Sequence, residues 1–173
     1  MSSVRFRLAR LDAAHDRVSF NCGSEPLNRY LWEQVTQDVR RRVTFCFVAS
    51  VDGTRIAGYY TLASASLLLT DLPADIKKKL PRYPTVPAVR MGRLAVDKAF
   101  KGQGLGGALL ADALDRAVSS EIASYAMIVD AKDAATVAFY QHHSFIAMTD
   151  KPLTLFLPLA TVRSVDHKVI VGG

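Results

Sequence analysis

The chain of 173 residues is 50% hydrophobic and 22% charged. That is one globular domain able to bury about two thirds of its unfolded surface, and it excludes an intrinsically disordered chain. The formal net charge of +6 is unevenly spread: residues 1–101 carry 17 Lys+Arg against 9 Asp+Glu, and residues 102–173 carry 5 against 7. A one-sided basic excess points to a patch facing a polyanion, with a merely solvated surface as the bland alternative.

Alternation over Val4–Leu11 predicts a strand with Phe6 and Leu8 on one face and Arg5 and Arg7 on the other. Asn21 to Pro26 is a turn that opens a helix, with Ser24 as N-cap, Pro26 in the first turn, and Leu27, Tyr30, Leu31 and Val35 at helical spacing. That helix runs into Arg40, Arg41 and Arg42. Val43–Val51 and Ile56–Ser66 are β runs joined through Asp52-Gly53, a hairpin signal. Leu67–Pro87 holds four prolines around a short helix with Lys77, Lys78 and Lys79, and it reads as a basic excursion from the sheet.

Val89–Val96 is again a strand, and Gly102–Gly107 opens a helix with the apolar stripe Leu105, Leu109, Leu110, Ala113, Leu114 and Ala117. Tyr125–Val129 is a buried strand ending in Asp130, Asp133 N-caps a helix reaching His142 or His143, and Phe145–Met148 and Thr154–Leu157 complete the sheet. The order predicts an α/β domain with a mixed sheet over residues 1–163 and a loose tail over 164–173. The longest apolar stretch, Ile56–Leu69, contains Gly58, Thr61, Ser64 and Ser66 and falls short of the roughly 20 residues that span a bilayer. The charged N-terminus lacks the apolar block of a signal peptide, so a cytoplasmic protein without membrane contact is expected. Cys22 and Cys46 form no CxxC and have no ligand-spaced partner, so no metal is assigned, and Cys46 reads as a core thiol.

Four glycines within 102–107, after a strand and at a helix start, leave backbone N–H groups open to a close guest, most naturally a pyrophosphate. A P-loop needs Lys-Ser/Thr after the last glycine, and Ala108-Leu109 stands there instead. Gly102, Gly104 and Gly107 match the dinucleotide fingerprint G-x-G-x-x-G, with Asp130 near the place of a ribose-binding acid. Against it, only about 70 residues remain for the rest of such a fold. A coenzyme A pyrophosphate loop and a plain tight turn are the other readings.

The runs Arg93-Leu94-Ala95-Val96-Asp97, Gly102-Gln103-Gly104-Leu105-Gly106-Gly107, Val129-Asp130-Ala131-Lys132-Asp133 and Ala138-Phe139-Tyr140 resemble the GNAT acetyltransferase superfamily. The family's loop R/Q-x-x-G-x-G/A falls on Lys101, Gly104 and Gly106, with Lys in place of Arg or Gln, and Ser144 stands where a glycine is usual. His15-Asp16-Arg17, Phe20, Cys22-Gly23, Tyr30-Leu31, Gly58–Leu62 and Gly92–Asp97 add a resemblance to the GNAT toxins of type II toxin–antitoxin modules. The resemblance implies a GNAT fold, with a mixed, mostly antiparallel sheet of six to seven strands and about four helices.

It further implies acetyl transfer from acetyl-CoA to the α-amino group of the amino acid on charged tRNA. A ribbon-helix-helix antitoxin and a homodimer follow from the same resemblance. Leu94, Ala95 and Val96 then meet the pantetheine arm, and Lys101, Gly102, Gln103, Gly104, Leu105, Gly106 and Gly107 hold the pyrophosphate. Phe139 and Asp133 belong to the cofactor set, Asp133 with N-capping as its other role. Tyr140 assists the departing thiolate.

Arg40, Arg41, Arg42, Lys77, Lys78, Lys79, Arg82, Arg90 and Arg93 are the expected path for RNA phosphates. No carboxylate is placed as a general base; a free α-amine near pKa 8, lowered further by its ester, attacks unaided. His15 is expected beside Asp16. The other functions open to this chain are acetylation of a small amine or a protein N-terminus, a non-catalytic binding module, and a nicotinamide enzyme.

Overall fold

A computed structural model describes residues 5–162, and the expected tail at 164–173 lies outside the described residues. The strands are β1 (Arg7–Arg10), β2 (Phe45–Val51), β3 (Arg55–Leu68), β4 (Thr85–Val96), β5 (Ala126–Asp130), β6 (Ile146–Met148) and β7 (Lys151–Pro158). The helices are α1 (Glu25–Arg29), which continues through a π-helical stretch, Tyr30–Gln34, into α2 (Val35–Arg40), then α3 (Ala74–Lys77), α4 (Leu105–Val118) and α5 (Ala134–His142). The strands neighbour one another in the order β1-β2-β3-β4-β5-β7-β6, a mixed and mostly antiparallel sheet. Among the described residues no helix is long and apolar enough to cross a membrane.

The chain divides into two compact units, and β3 and β4 each contribute to both. The first unit comprises residues 5–63 and 92–115 of the described chain. Its β1–β2 and β2–β3 ladders are antiparallel, with Leu8 opposite Ala49 and Val48 opposite Tyr59. The hairpin turn puts Asp52 and Gly53 at φ 55° and 74°, the left-handed pair that matches strand twist. Apolar residues at helical spacing, Tyr30, Leu31 and Val35, pack with Val48, Ile56, Tyr59 and Ala95 into one cluster. The first helix departs from expectation at both ends. Ser24 occupies the N-cap without a side-chain capping bond. α2 stops at Arg40, and Arg42 turns to φ 59° with its guanidinium 5.3 Å from the Phe45 ring centroid.

The second unit comprises residues 64–91 and 116–162 of the described chain. A parallel β4–β5 ladder runs from Ala88 opposite Ala126 to Met91 opposite Val129, and β7 pairs antiparallel with β5 and β6. The excursion is shorter than predicted, because β3 extends to Leu68 and β4 begins at Thr85. Leu69, Leu72 and Val86 fix it to a cluster with Ala126, Ile128 and Phe156, and Ile76 and Leu80 pack on the same cluster.

Candidate active site

In the first unit, β4 ends in Leu94, Ala95 and Val96, which follow the last pair of the parallel ladder. Asp97 terminates the strand and caps a 3-10 turn, accepting from the Ala99 N–H at 2.8 Å and from the Asn21 N–H at 3.0 Å. The exposed residues Lys101, Gly102, Gln103 and Gly104 come next. Gly102 and Gly104 have φ of 80° and 77°, a backbone that side chains resist, and nothing lies within 4 Å of a Cβ built on Gly102.

Gly106 and Gly107 are the first helical residues after Leu105, so their smallness rather than a left-handed φ is what they supply. The Gly104 carbonyl accepts from the Ala108 N–H at 3.1 Å, and the N–H groups before it lie in the unsatisfied first turn of α4. A glycine-lined, uncovered helix N-terminus with the positive end of its dipole suits a diphosphate. The Lys101 ammonium is held there by the Cys22 carbonyl at 2.8 Å.

Two features of this unit escaped sequence reasoning. Gly58 on β3 lies beneath α4: a Cβ there would stand 2.7 Å from Leu109 Cδ1 and 3.0 Å from the Ala95 carbonyl oxygen. Its glycine lets α4 press onto the strands. The second is a buried hydrogen bond from the Tyr60 hydroxyl to the Asp112 carboxylate, which fixes α4 to β3. A polar residue within an otherwise apolar helical stripe was the available signal for it.

In the second unit, α5 carries Tyr140, which is 4% exposed. Its ring packs edge-on to Phe139 and tilted against Phe145, at centroid distances of 5.3 and 5.4 Å. Its hydroxyl forms no hydrogen bond with a described residue. Burial, with the Asp130 carboxylate nearby, pushes its pKa up to about 12. Phe139 is half-buried between Tyr140 and His143. Asp133 N-caps α5, accepting from the Thr136 N–H at 2.8 Å and its hydroxyl at 2.7 Å, and both bonds hold its carboxyl below the usual range.

The predicted basic residues divide between the units. Arg40, Arg41 and Arg42 are exposed in the first; Lys77, Lys78, Lys79 and Arg82 are exposed in the second. Three of the set already have partners, the first being Arg42 through the Phe45 ring. The Arg90 guanidinium pairs with Asp130, which also accepts from Thr154 at 3.1 Å. The Arg93 guanidinium stacks 3.4 Å from the centroid of Tyr30, whose hydroxyl donates to Asp38 at 2.8 Å. Sheet register brings Asp130 to Arg90 and helix packing brings Tyr30 to Arg93, and no local pattern signals either. Buried His15 accepts the Asp12 N–H at 3.0 Å and lies 3.4 Å from the Asp12 carboxylate; Asp16, its expected neighbour, instead bonds Ser19. Cys46 is a core thiol whose pKa burial raises to about 12.

The acetyltransferase (GNAT) family matches this chain over residues 11–145. The tRNA-acetylating toxin of Mycobacterium tuberculosis is 35% identical over 157 residues, covering 90% of this chain and 93% of the toxin. The probable toxin TacT of Sinorhizobium fredii is 29% identical over 160 residues, covering 87% and 88%. Among solved structures, AtaT complexed with acetyl-methionyl-tRNAfMet matches with a TM-score of 0.84 at 29% identity, covering 90% of this chain and 96% of that one. AtaTR bound with AcCoA matches at 0.78 and 28%, covering 91% and 95%. A tyrosine-to-phenylalanine mutant of AtaT bound to the C-terminus of the antitoxin AtaR matches at 0.77 and 25%, covering 91% and 95%.

Proposed function

Because the chain belongs to the acetyltransferase (GNAT) family, we propose that it is a toxin that acetylates the α-amino group of the amino acid on charged tRNA and thereby blocks translation. The observation that carries this reading is its 35% identity, over 90% of its length, to a tRNA-acetylating toxin. Acetyl-CoA, when bound, supplies the acetyl group as a thioester. Lys101 to Gly107 hold the pyrophosphate with backbone N–H groups and one ammonium, and the main chain of Leu94, Ala95 and Val96 pairs with the amide-bearing arm. Phe139 and Asp133 complete the cofactor set.

The neutral α-amine attacks directly, since its pKa near 8 leaves a usable unprotonated fraction at neutral pH, whereas a lysine amine near 10.4 would need a base. Transfer would form a C–N bond as the C–S bond breaks, the amine's proton passing to solvent and the coenzyme A thiolate taking one from solvent to leave as the thiol. Tyr140 donates a hydrogen bond to the departing sulfur. With a pKa of about 12 against roughly 8.5 for a thiol, its hydroxyl keeps its proton and acts by stabilising charge.

Arg40, Arg41, Arg42, Lys77, Lys78, Lys79 and Arg82 contact RNA phosphates. Arg90 and Arg93, engaged by Asp130 and Tyr30, hold the strand that carries them. The protein acts in the cytoplasm as a homodimer over a single acetyltransferase domain. A ribbon-helix-helix antitoxin silences it, and the AtaR-bound neighbour supports an antitoxin partner.

The test is incubation with labelled acetyl-CoA and total charged tRNA. Label in the RNA, released by mild alkali as an N-acetyl amino acid, is expected. Label confined to protein or small molecules refutes the reading.

A further inference from the structure

The excursion between β3 and β4 is tied down on one side and bare on the other. Leu69, Leu72, Ile76, Leu80 and Val86 pack on the second unit's core, leaving Lys77, Lys78, Lys79, Arg82 and Tyr83 exposed. Tyr83 is 64% exposed, and its side chain makes no ring contact or hydrogen bond with a described residue. A large amphipathic ring left in water forgoes burial that other tyrosines of this chain obtain, Tyr59 and Tyr60 among them.

Its backbone is nonetheless well held. Pro81 and Pro84 flank the Arg82-Tyr83 pair and fix their own φ. The Tyr83 N–H donates to the Pro81 carbonyl at 2.8 Å, and the Pro84 carbonyl accepts from Leu69 at 3.2 Å. A ring displayed from a restricted backbone loses little entropy when a partner covers it. The four cations form no ion pair with a described residue; the one acid among residues 74–83 is Asp75, on the first turn of α3. Unpaired cations beside a free aromatic face match the chemistry of single-stranded nucleic acid, whose bases stack while its phosphates are neutralised.

We infer that Tyr83 is a stacking platform for an unpaired nucleobase of the RNA substrate, with Lys77, Lys78, Lys79 and Arg82 gripping the adjacent phosphates. This rests on the proposed RNA substrate. It adds a base contact that the phosphate-binding cations do not supply.

The experiment measures binding of the full chain, wild type, Tyr83→Ala and Tyr83→Phe, to a single-stranded hexaribonucleotide and to a blunt RNA duplex with as many phosphates. Tyr83→Ala is expected to weaken the single strand about 5- to 150-fold and the duplex less than about threefold, with Tyr83→Phe near wild type. The salt slope of Tyr83→Ala stays that of the wild type, whereas Lys78→Ala lowers it by about one for both RNAs. Unchanged single-strand binding by Tyr83→Ala, or equal losses on both RNAs, overturns the inference while leaving the substrate reading intact. A loss confined to an oligoglutamate peptide assigns the surface to a protein partner and likewise overturns it. Failure of the wild type to bind the single strand overturns the inference, while acetyl transfer to charged tRNA decides the substrate reading separately.

Discussion

Replacing Gly58 by alanine tests whether the N-terminal end of α4, the proposed pyrophosphate site, is held in place by a missing side chain. The new Cβ would lie 2.7 Å from Leu109 Cδ1, 3.0 Å from the Ala95 carbonyl oxygen and 3.4 Å from Leu105 Cδ2. Carbon atoms at rest sit about 3.5–4.0 Å apart, so the first contact is nearly 1 Å too close. Leu109 is a side-chain end and yields by changing rotamer. The Ala95 carbonyl belongs to β4 and yields only if the strand or α4 moves.

Overpacking of this kind costs about 1–3 kcal/mol, and the stiffer unfolded chain of alanine returns about 0.4–1 kcal/mol. The severe first contact places the net loss near 2 kcal/mol, or a fall in Tm of about 4–8 °C for a chain of this size. Because Leu105 and Leu109 lie on α4's first turns, the shift should also raise the KM for acetyl-CoA more than it lowers kcat. Calorimetry and acetyl-transfer kinetics read both effects. Leu109→Ala combined with Gly58→Ala should lower Tm by less than the sum of the two single losses, since the truncation relieves the new contact. A Gly58→Ala protein with unchanged Tm and KM would refute the reasoning.

Tyr140→Phe should cut acetyl transfer by about 100-fold or more with unchanged affinity for acetyl-CoA, since only a hydroxyl aimed at developing charge is lost. With the Tyr140 pKa raised to about 12, the proton is retained through neutral pH. The wild-type kcat/KM should therefore climb with unit slope to a plateau near the substrate amine's pKa and show no falling limb below about pH 9.5, where the binding lysines begin to lose charge. Arg93→Leu removes the guanidinium from the Tyr30 ring, so Tm should drop by about 2–6 °C while tRNA affinity changes less than about threefold; thermal melts and filter binding distinguish this from a phosphate contact. Ser144 sits at φ 73° on the surface, so Ser144→Gly should raise Tm by about 1–3 °C, measured by calorimetry.

Local chemistry was legible in the chain itself. The glycines around Gly102 and Gly104, the N-cap Asp133, the Asp52-Gly53 turn and the stripe of α4 are set by neighbours within about four residues, and alternation or helical spacing reveals them. The same signals misled where local and tertiary demands differ. The Ser24 side chain forms no cap, and Arg41 and Arg42 leave the helix because Arg42 turns left-handed and lays its guanidinium toward Phe45.

What the tertiary structure alone decided is which distant residues meet. Pairing of residues tens of positions apart puts Arg93 on Tyr30, Arg90 on Asp130 and the Tyr60 hydroxyl on Asp112. These contacts follow from strand register and helix packing, which shift every neighbour at once and leave no periodic trace in the chain. Burial likewise raised the pKa of Tyr140, and close packing gave Gly58 its purpose. Sequence alone thus determined the glycine turn before α4, the place of Tyr140 on α5 and the uneven charge. Only the folded chain showed that, of the nine basic residues, Arg42, Arg90 and Arg93 are held by Phe45, Asp130 and Tyr30.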